Sequence, residues 1–119
     1  MTRNTRPISW IHPARRDFEK FPDEARNRAL VALTVVAEGG KPDIAKPLSG
    51  FGSGVWELAI RARGDAWRVI FALQVDENIW VVHAFQKKSK RGIATPKMEL
   101  DLVKERLKRL REQLSRNGH

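Results

Sequence analysis

Eight polar residues interrupt three alternating, largely apolar segments, and their types are those that handle phosphodiesters. The segments are Val55–Arg63 (VWELAIRAR), Trp67–Leu73 (WRVIFAL) and Ile79–Lys88 (IWVVHAFQKK), and the residues are Glu57, Arg61, Arg63, Arg68, His83, Gln86, Lys87 and Lys88. Cleaving RNA without a metal needs a base for the 2′-OH proton, cations for the crowded phosphate and an acid for the departing 5′-oxygen. Arg61 and Arg68 suit the clamp, because guanidinium donors match phosphate oxygens in pairs. Lys87 and Lys88 add charge, and either with a lowered pKa would serve as the acid. Glu57 and His83 are the candidates for the base, His83 by its intrinsic pKa. Arg63, Gln86, Lys90 and Arg91 are further candidates for RNA contact.

Each residue also has a structural reading. Glu57 alternates onto the Arg61 face and equally makes a cross-strand pair that neutralises Arg61 or Arg68. Alternation groups His83 with Val81 and Phe85, as for a hydrogen-bonded core histidine. Lys87–Arg91 also reads as a solvated loop, and Trp56, Trp67 and Trp80 as packing residues rather than base-stacking platforms. Arg63-Gly64-Asp65 spells an adhesion tripeptide but sits where a hairpin must turn, with Gly64 supplying the backbone freedom. His12 and His119 have no partner pattern, so no metal site is expected, and no cofactor.

The elements that must position these residues follow from periodicity and punctuation. In the first two segments Trp56, Leu58, Ile60 and Ala62, then Trp67, Val69, Phe71 and Leu73, mark the apolar faces of two strands, with a turn over Arg63–Ala66. The pleat then sets Arg61 and Arg68 on the less apolar sides of adjacent strands, close to that turn. The third segment is apolar on both sides, which predicts a central strand. Upstream, Pro7–Ile11 fits a short strand with Pro7 at its start or on an edge, and Ala14–Phe21 a short helix ending near Pro22. A longer helix follows, with Asp23 and Glu24 favourable to its dipole and a stripe of Ala29, Leu33 and Val36 widened by Leu30 and Ala37. Gly39 and Gly40 stop it. Lys41–Gly54, with its prolines and glycines, reads as a loop. Thr95-Pro96 predicts a helix start with Thr95 as cap, running to about Leu114 with a stripe of Leu100, Val103, Leu107, Leu110 and Leu114.

A chain of 119 residues is most simply one domain, residues 1–119. Lys and Arg number 23 against 14 Asp and Glu, a net charge of +9, which favours a polyanionic partner: RNA, DNA or an acidic protein. With no cysteine, disulfides and thiolate metal sites are excluded. The longest apolar run, Ala29–Ala37, is too short to span a bilayer, and no apolar signal region follows the N-terminal charges, so a cytoplasmic location and no membrane partner are expected.

Taken together, two N-terminal helices, KPLSG, WEL, WRVIF, HAFQKKSK and the following TP resemble the RelE/ParE toxin superfamily over roughly Ile8 to Leu110. The HAFQKK-to-TPKMEL junction most resembles its HigB-like, phage-associated branch. The resemblance implies an α+β fold, with N-terminal helices and a C-terminal helix packed on a twisted, mainly antiparallel sheet. RelE-like members cleave mRNA, commonly in the ribosomal A site, and need no metal; ParE-like members poison DNA gyrase. Both are held by an antitoxin, for HigB-like toxins usually a small helix-turn-helix (HigA-like) protein. Arg68 matches the arginine of the equivalent strand in RelE-like nucleases, Arg61 a basic position on the strand before it, and Lys87 and Lys88 the basic end of the last strand. Several of those nucleases use a C-terminal tyrosine, and this chain has no tyrosine. Three functions remain open: mRNA endoribonuclease, non-enzymatic gyrase inhibitor, and a degenerate toxin that only binds its antitoxin or nucleic acid.

Overall fold

A computed structural model describes residues 5–88 and 95–117. In chain order the elements are β1 (Ile8–Trp10), α1 (His12–Phe18), α2 (Asp23–Ala37), β2 (Ala45–Pro47), β3 (Val55–Ala62), β4 (Asp65–Ala72), β5 (Ile79–Lys87) and α3 (Lys97–Asn117). The five strands form one sheet in the order β1-β5-β4-β3-β2, antiparallel except where β1 runs parallel to β5. The fold is α+β, as expected. The chain divides into two compact units, Met1–Lys88 and Ser89–His119, and α3 belongs to the second.

Alternation explains β3 and β4. Leu58, Ile60, Val69 and Phe71 point to one face and join Ala14 and Phe18 of α1 and Ala25, Ala29, Leu33 and Val36 of α2 in a single core. Aromatic rings extend it: Trp10, Phe18, Phe21 and Trp67 form a chain of tilted pairs with centroids 4.7–5.3 Å apart. Trp67 is thus a packing residue. The α2 stripe differs from expectation at Leu30, which is 44% exposed, because the small Ala25 and Ala32 lie on the buried side instead. At its end Gly39 donates to Val36 and Gly40 to Val35, both bonds of a Schellman motif, with Gly39 at φ 92°.

The largest departure from the expected elements is β2, which lies inside the segment that reads as a loop. Three residues ending on a proline carry too little pattern to announce a strand, yet they pair with Trp56–Leu58 as the sheet's edge. Pro47 has no N–H to offer there, which blunts the edge against further pairing. The other edge, β1, is tied down by Arg6, whose guanidinium donates to the carbonyls of Glu77 and Asn78 in the β4–β5 turn at 3.0 Å.

β3 and β4 meet in a two-residue turn, tighter than the expected Arg63–Ala66. Arg63 and Gly64 have φ of 55° and 82°, and Ala62 pairs with Asp65 across them. Two positive φ values in succession define the type I′ geometry that matches strand twist. The α3 helix starts one residue later than expected, with the Pro96 carbonyl accepting from Glu99 and Leu100. Its most buried residues, Val103, Leu107 and Leu110, belong to the expected stripe.

A Cβ on Gly64 would meet nothing within 4 Å, so the cost of Gly64→Ala is one of backbone conformation alone. Denaturant unfolding is expected to show a loss of about 1–2 kcal/mol; an unchanged midpoint would mean the turn does not hold this conformation.

Candidate active site

The candidate residues lie mainly on the face of the sheet opposite the α1–α2 core, in three ranks across β3, β4 and β5. Nearest the hairpin turn, Arg61, Ala66 and Lys87 are in register. The next rank is Ala59, Arg68 and Phe85, and the third is Glu57, Ile70 and His83, extended on the β2 side by Lys46. Ala59 and Ala66 contribute only methyl groups among the cations.

A one-residue bulge makes this arrangement possible. Ile70 pairs with His83, but Phe71 pairs with Val81, so Val82 is an extra residue in β5. Past it the alternation changes phase. Val81 faces the helical core, whereas His83, Phe85 and Lys87 face the side of Arg68. Simple alternation had grouped His83 with Val81; the bulge separates them. The same shift puts Gln86 opposite Trp67 on the core-side face, away from the cations it was expected to join.

Arg68 and Glu57 are both buried and form the centre of the face. Arg68 Nη1 donates to Glu57 Oε1 at 3.0 Å, with side chains 8% and 2% exposed. Lys46 reaches the same oxygen at 3.6 Å from a side chain that is 43% exposed. The cross-strand pairing reading of Glu57 therefore holds, with Arg68 rather than Arg61 as its close partner. Sequence reasoning missed Lys46, and the Lys-Pro-Leu motif was its only available signal. Removing one member of a buried pair costs about 3–5 kcal/mol. An Arg68→Ala variant would test folding as much as function, so Arg68→Lys is the better probe.

Lys87 is 7% exposed. Burial pushes its pKa below the ordinary lysine value; Arg68 acts in the same direction, Glu57 opposes, and Lys46 adds a smaller push downward. Arg61 is exposed, and its guanidinium makes no ion pair among the described residues, while its carbonyl accepts from Arg28 Nη1 of α2 at 3.0 Å. His83 is buried and stacks on Phe85, centroids 4.8 Å apart at 24°. It stands four residues from Lys87 along β5, about 13 Å at ordinary strand rise. Arg63 is exposed in the turn and Lys88 is exposed just past β5. Lys90 and Arg91 lie outside the described residues. Among the described residues no three His, Cys, Asp or Glu side chains gather as a metal site would require, and no helix is long and apolar enough to cross a membrane.

A family model described as "Phage derived protein Gp49-like" matches residues 16–108. The chain belongs to this family. The Gp49-like chain also shares its fold with a free-state arginine-substituted mutant of the E. coli toxin RelE, at a TM-score of 0.61 and 13% identity over 88% of this chain and 97% of that one. A second similar structure is the toxin–antitoxin complex RelBE2 from Mycobacterium tuberculosis, at a TM-score of 0.43 and 20% identity over 74% and 98% of the two chains. No curated protein sequence matches. The Gp49-like chain thus has the RelE-like toxin fold, as its motifs implied.

The lowered Lys87 pKa has a consequence for stability. Because folding loosens this proton, the unfolded chain binds more protons in the alkaline window just below the ordinary lysine value. The Lys87 contribution to stability therefore rises as pH climbs through that window. Denaturant titrations of wild type and Lys87→Met across it are expected to diverge, the variant lacking the rise; parallel curves would contradict the shift.

Proposed function

We propose that this chain is the toxin of a type II toxin–antitoxin pair, of HigB-like type, acting as a metal-independent endoribonuclease on mRNA in the cytoplasm. The observation that carries the reading is the convergence of Arg61, Arg68 and Lys87 on adjacent ranks of one sheet face. In this reading Arg61 and Arg68 hold the non-bridging oxygens of the scissile phosphate, with Arg61 the member open to solvent. Their charge stabilises the dianionic transition state as the 2′-oxygen attacks phosphorus. Lys87, its proton loosened by burial, delivers that proton to the departing 5′-oxygen. Lys88 and Arg63 flank the strand ends and follow the backbone of the RNA, with Lys90 and Arg91 continuing the basic run in sequence.

Glu57 is the better placed of the two base candidates, because it is in direct contact with Arg68, whereas His83, in the same rank, stacks on Phe85. With no tyrosine in the chain, proton transfer falls to these groups. The net charge of +9 supports an RNA or ribosome-bound target. By the family resemblance, the protein partner is a cognate helix-turn-helix (HigA-like) antitoxin. A ParE-like gyrase inhibitor shares the fold, but the buried cation at the end of β5 has a role in phosphate chemistry that such an inhibitor does not require.

Induced expression followed by primer extension tests the assignment. Defined mRNA cleavage sites are expected, and Arg68→Lys, which keeps charge but loses the paired donors, should reduce cleavage on the order of 10²-fold. Intact message accompanied by trapped DNA breaks would support gyrase poisoning and overturn the nuclease reading.

A further inference from the structure

The cation face contains an anion of its own. Glu57 Oε1 is shared by Arg68 Nη1 at 3.0 Å and Lys46 Nζ at 3.6 Å, and Lys87 lies within electrostatic reach of all three. The two contacts differ in kind. Arg68 is buried and hydrogen-bonded, whereas Lys46 is 43% exposed on an edge strand and too far from the carboxylate for a hydrogen bond. Arg68 also has an uncommitted donor: its Nε is buried and has no hydrogen-bond partner among the described residues. A buried donor in that condition costs free energy until an acceptor arrives.

A carboxylate and a phosphate present similar oxygen pairs to a guanidinium. We infer that Glu57 is a built-in competitor of RNA phosphate at this site, and that Lys46 is a phosphate-binding residue which exchanges its contact with Glu57 for one with the RNA. The inference rests on the proposed RNA-directed function and adds to it a ligand residue and a brake. Without RNA, Glu57 offsets the repulsion among Lys46, Arg68 and Lys87 and holds the cations in place. When a phosphodiester approaches, Lys46 meets it first, being the solvent-side member of the cluster. Its swing away from Glu57 leaves the Arg68 hydrogen bond to the carboxylate in place, while the spare Arg68 donor gains an acceptor. A purely structural Glu57 would behave oppositely: neutralising it would loosen Arg68 and weaken RNA binding.

The test is equilibrium binding of a labelled, 2′-O-methylated single-stranded RNA, which lacks the attacking hydroxyl, measured by fluorescence anisotropy across a salt series. Wild type, Glu57→Gln, Lys46→Ala and Arg68→Lys are compared, each checked for folding by circular dichroism. Glu57→Gln is expected to bind on the order of tenfold tighter at low salt, because a like charge beside the phosphate is gone. Lys46→Ala is expected to bind more weakly and to lower the slope of log affinity against log salt by about 0.7, the value for one phosphate contact on a single strand. If Glu57→Gln binds equally or less tightly while Arg68→Lys still weakens binding, the competitor role is overturned and the RNA-directed function stands. An unchanged salt slope in Lys46→Ala overturns the phosphate contact. If neither wild type nor Glu57→Gln binds the RNA, both the inference and the proposed function fail. Should Glu57→Gln not fold, Lys46→Ala decides, since its half-exposed side chain can be removed without emptying the core.

Discussion

The buried pair between Glu57 and Arg68 constrains most of what surrounds it. Two ions removed from water each cost several kcal/mol, and only their mutual contact with good geometry offsets this. The 3.0 Å bond joins β3 to β4 diagonally, since Glu57 is in register with Ile70 and Arg68 with Ala59. A slip of one residue between β3 and β4 would put Glu57 and Arg68 on opposite faces of the sheet and break the pair. Core and ion pair therefore specify the same register. The face that carries the charges is rigid because the other face is packed with Leu58, Ile60, Val69 and Phe71.

The bulge at Val82 is the second constraint. Without it, an alternating β5 would direct Lys87 and Phe85 to the same side as Ile79 and Val81, into the apolar core. One inserted residue gives both faces what they need: Ile79 and Val81 pack under α1, and Lys87 comes beside the rank of Arg68. The lowered Lys87 pKa follows from this placement, because burial and the neighbouring Arg68 both disfavour its charge. In this sense an irregularity of backbone pairing, rather than a motif, creates the chemical character of the strand end.

Much of this was legible in the sequence. Period-2 alternation identified β3 and β4 and put Glu57, Arg61 and Arg68 on one face, and the glycine at position 64 marked the hairpin. Helical stripes and the Gly39-Gly40 stop identified α2, and Thr95-Pro96 located the start of α3 to within a residue. The failures have physical causes. Val82 is an apolar residue in an apolar run, so nothing in the pattern shows that it is inserted, and simple alternation groups His83 with Val81 for that reason. The edge strand β2 is set by pairing with β3 over three residues, a tertiary effect with almost no local signal, and with it Lys46 was missed. Leu30 widens the apolar stripe of α2 in sequence, whereas the buried side of the helix carries Ala25, Ala29 and Ala32 instead.

The central claim is that the sheet face of Arg61, Arg68 and Lys87 receives a phosphodiester. Chemical-shift mapping by NMR with an uncleavable single-stranded RNA tests it most directly. The account predicts that shifts concentrate on the Arg61 and Arg68 guanidinium groups, Lys87 and the neighbouring β3–β5 amides, with the α1–α2 face unaffected. Shifts confined to the outer surface of α1 and α2, or none at concentrations that saturate binding, would contradict it.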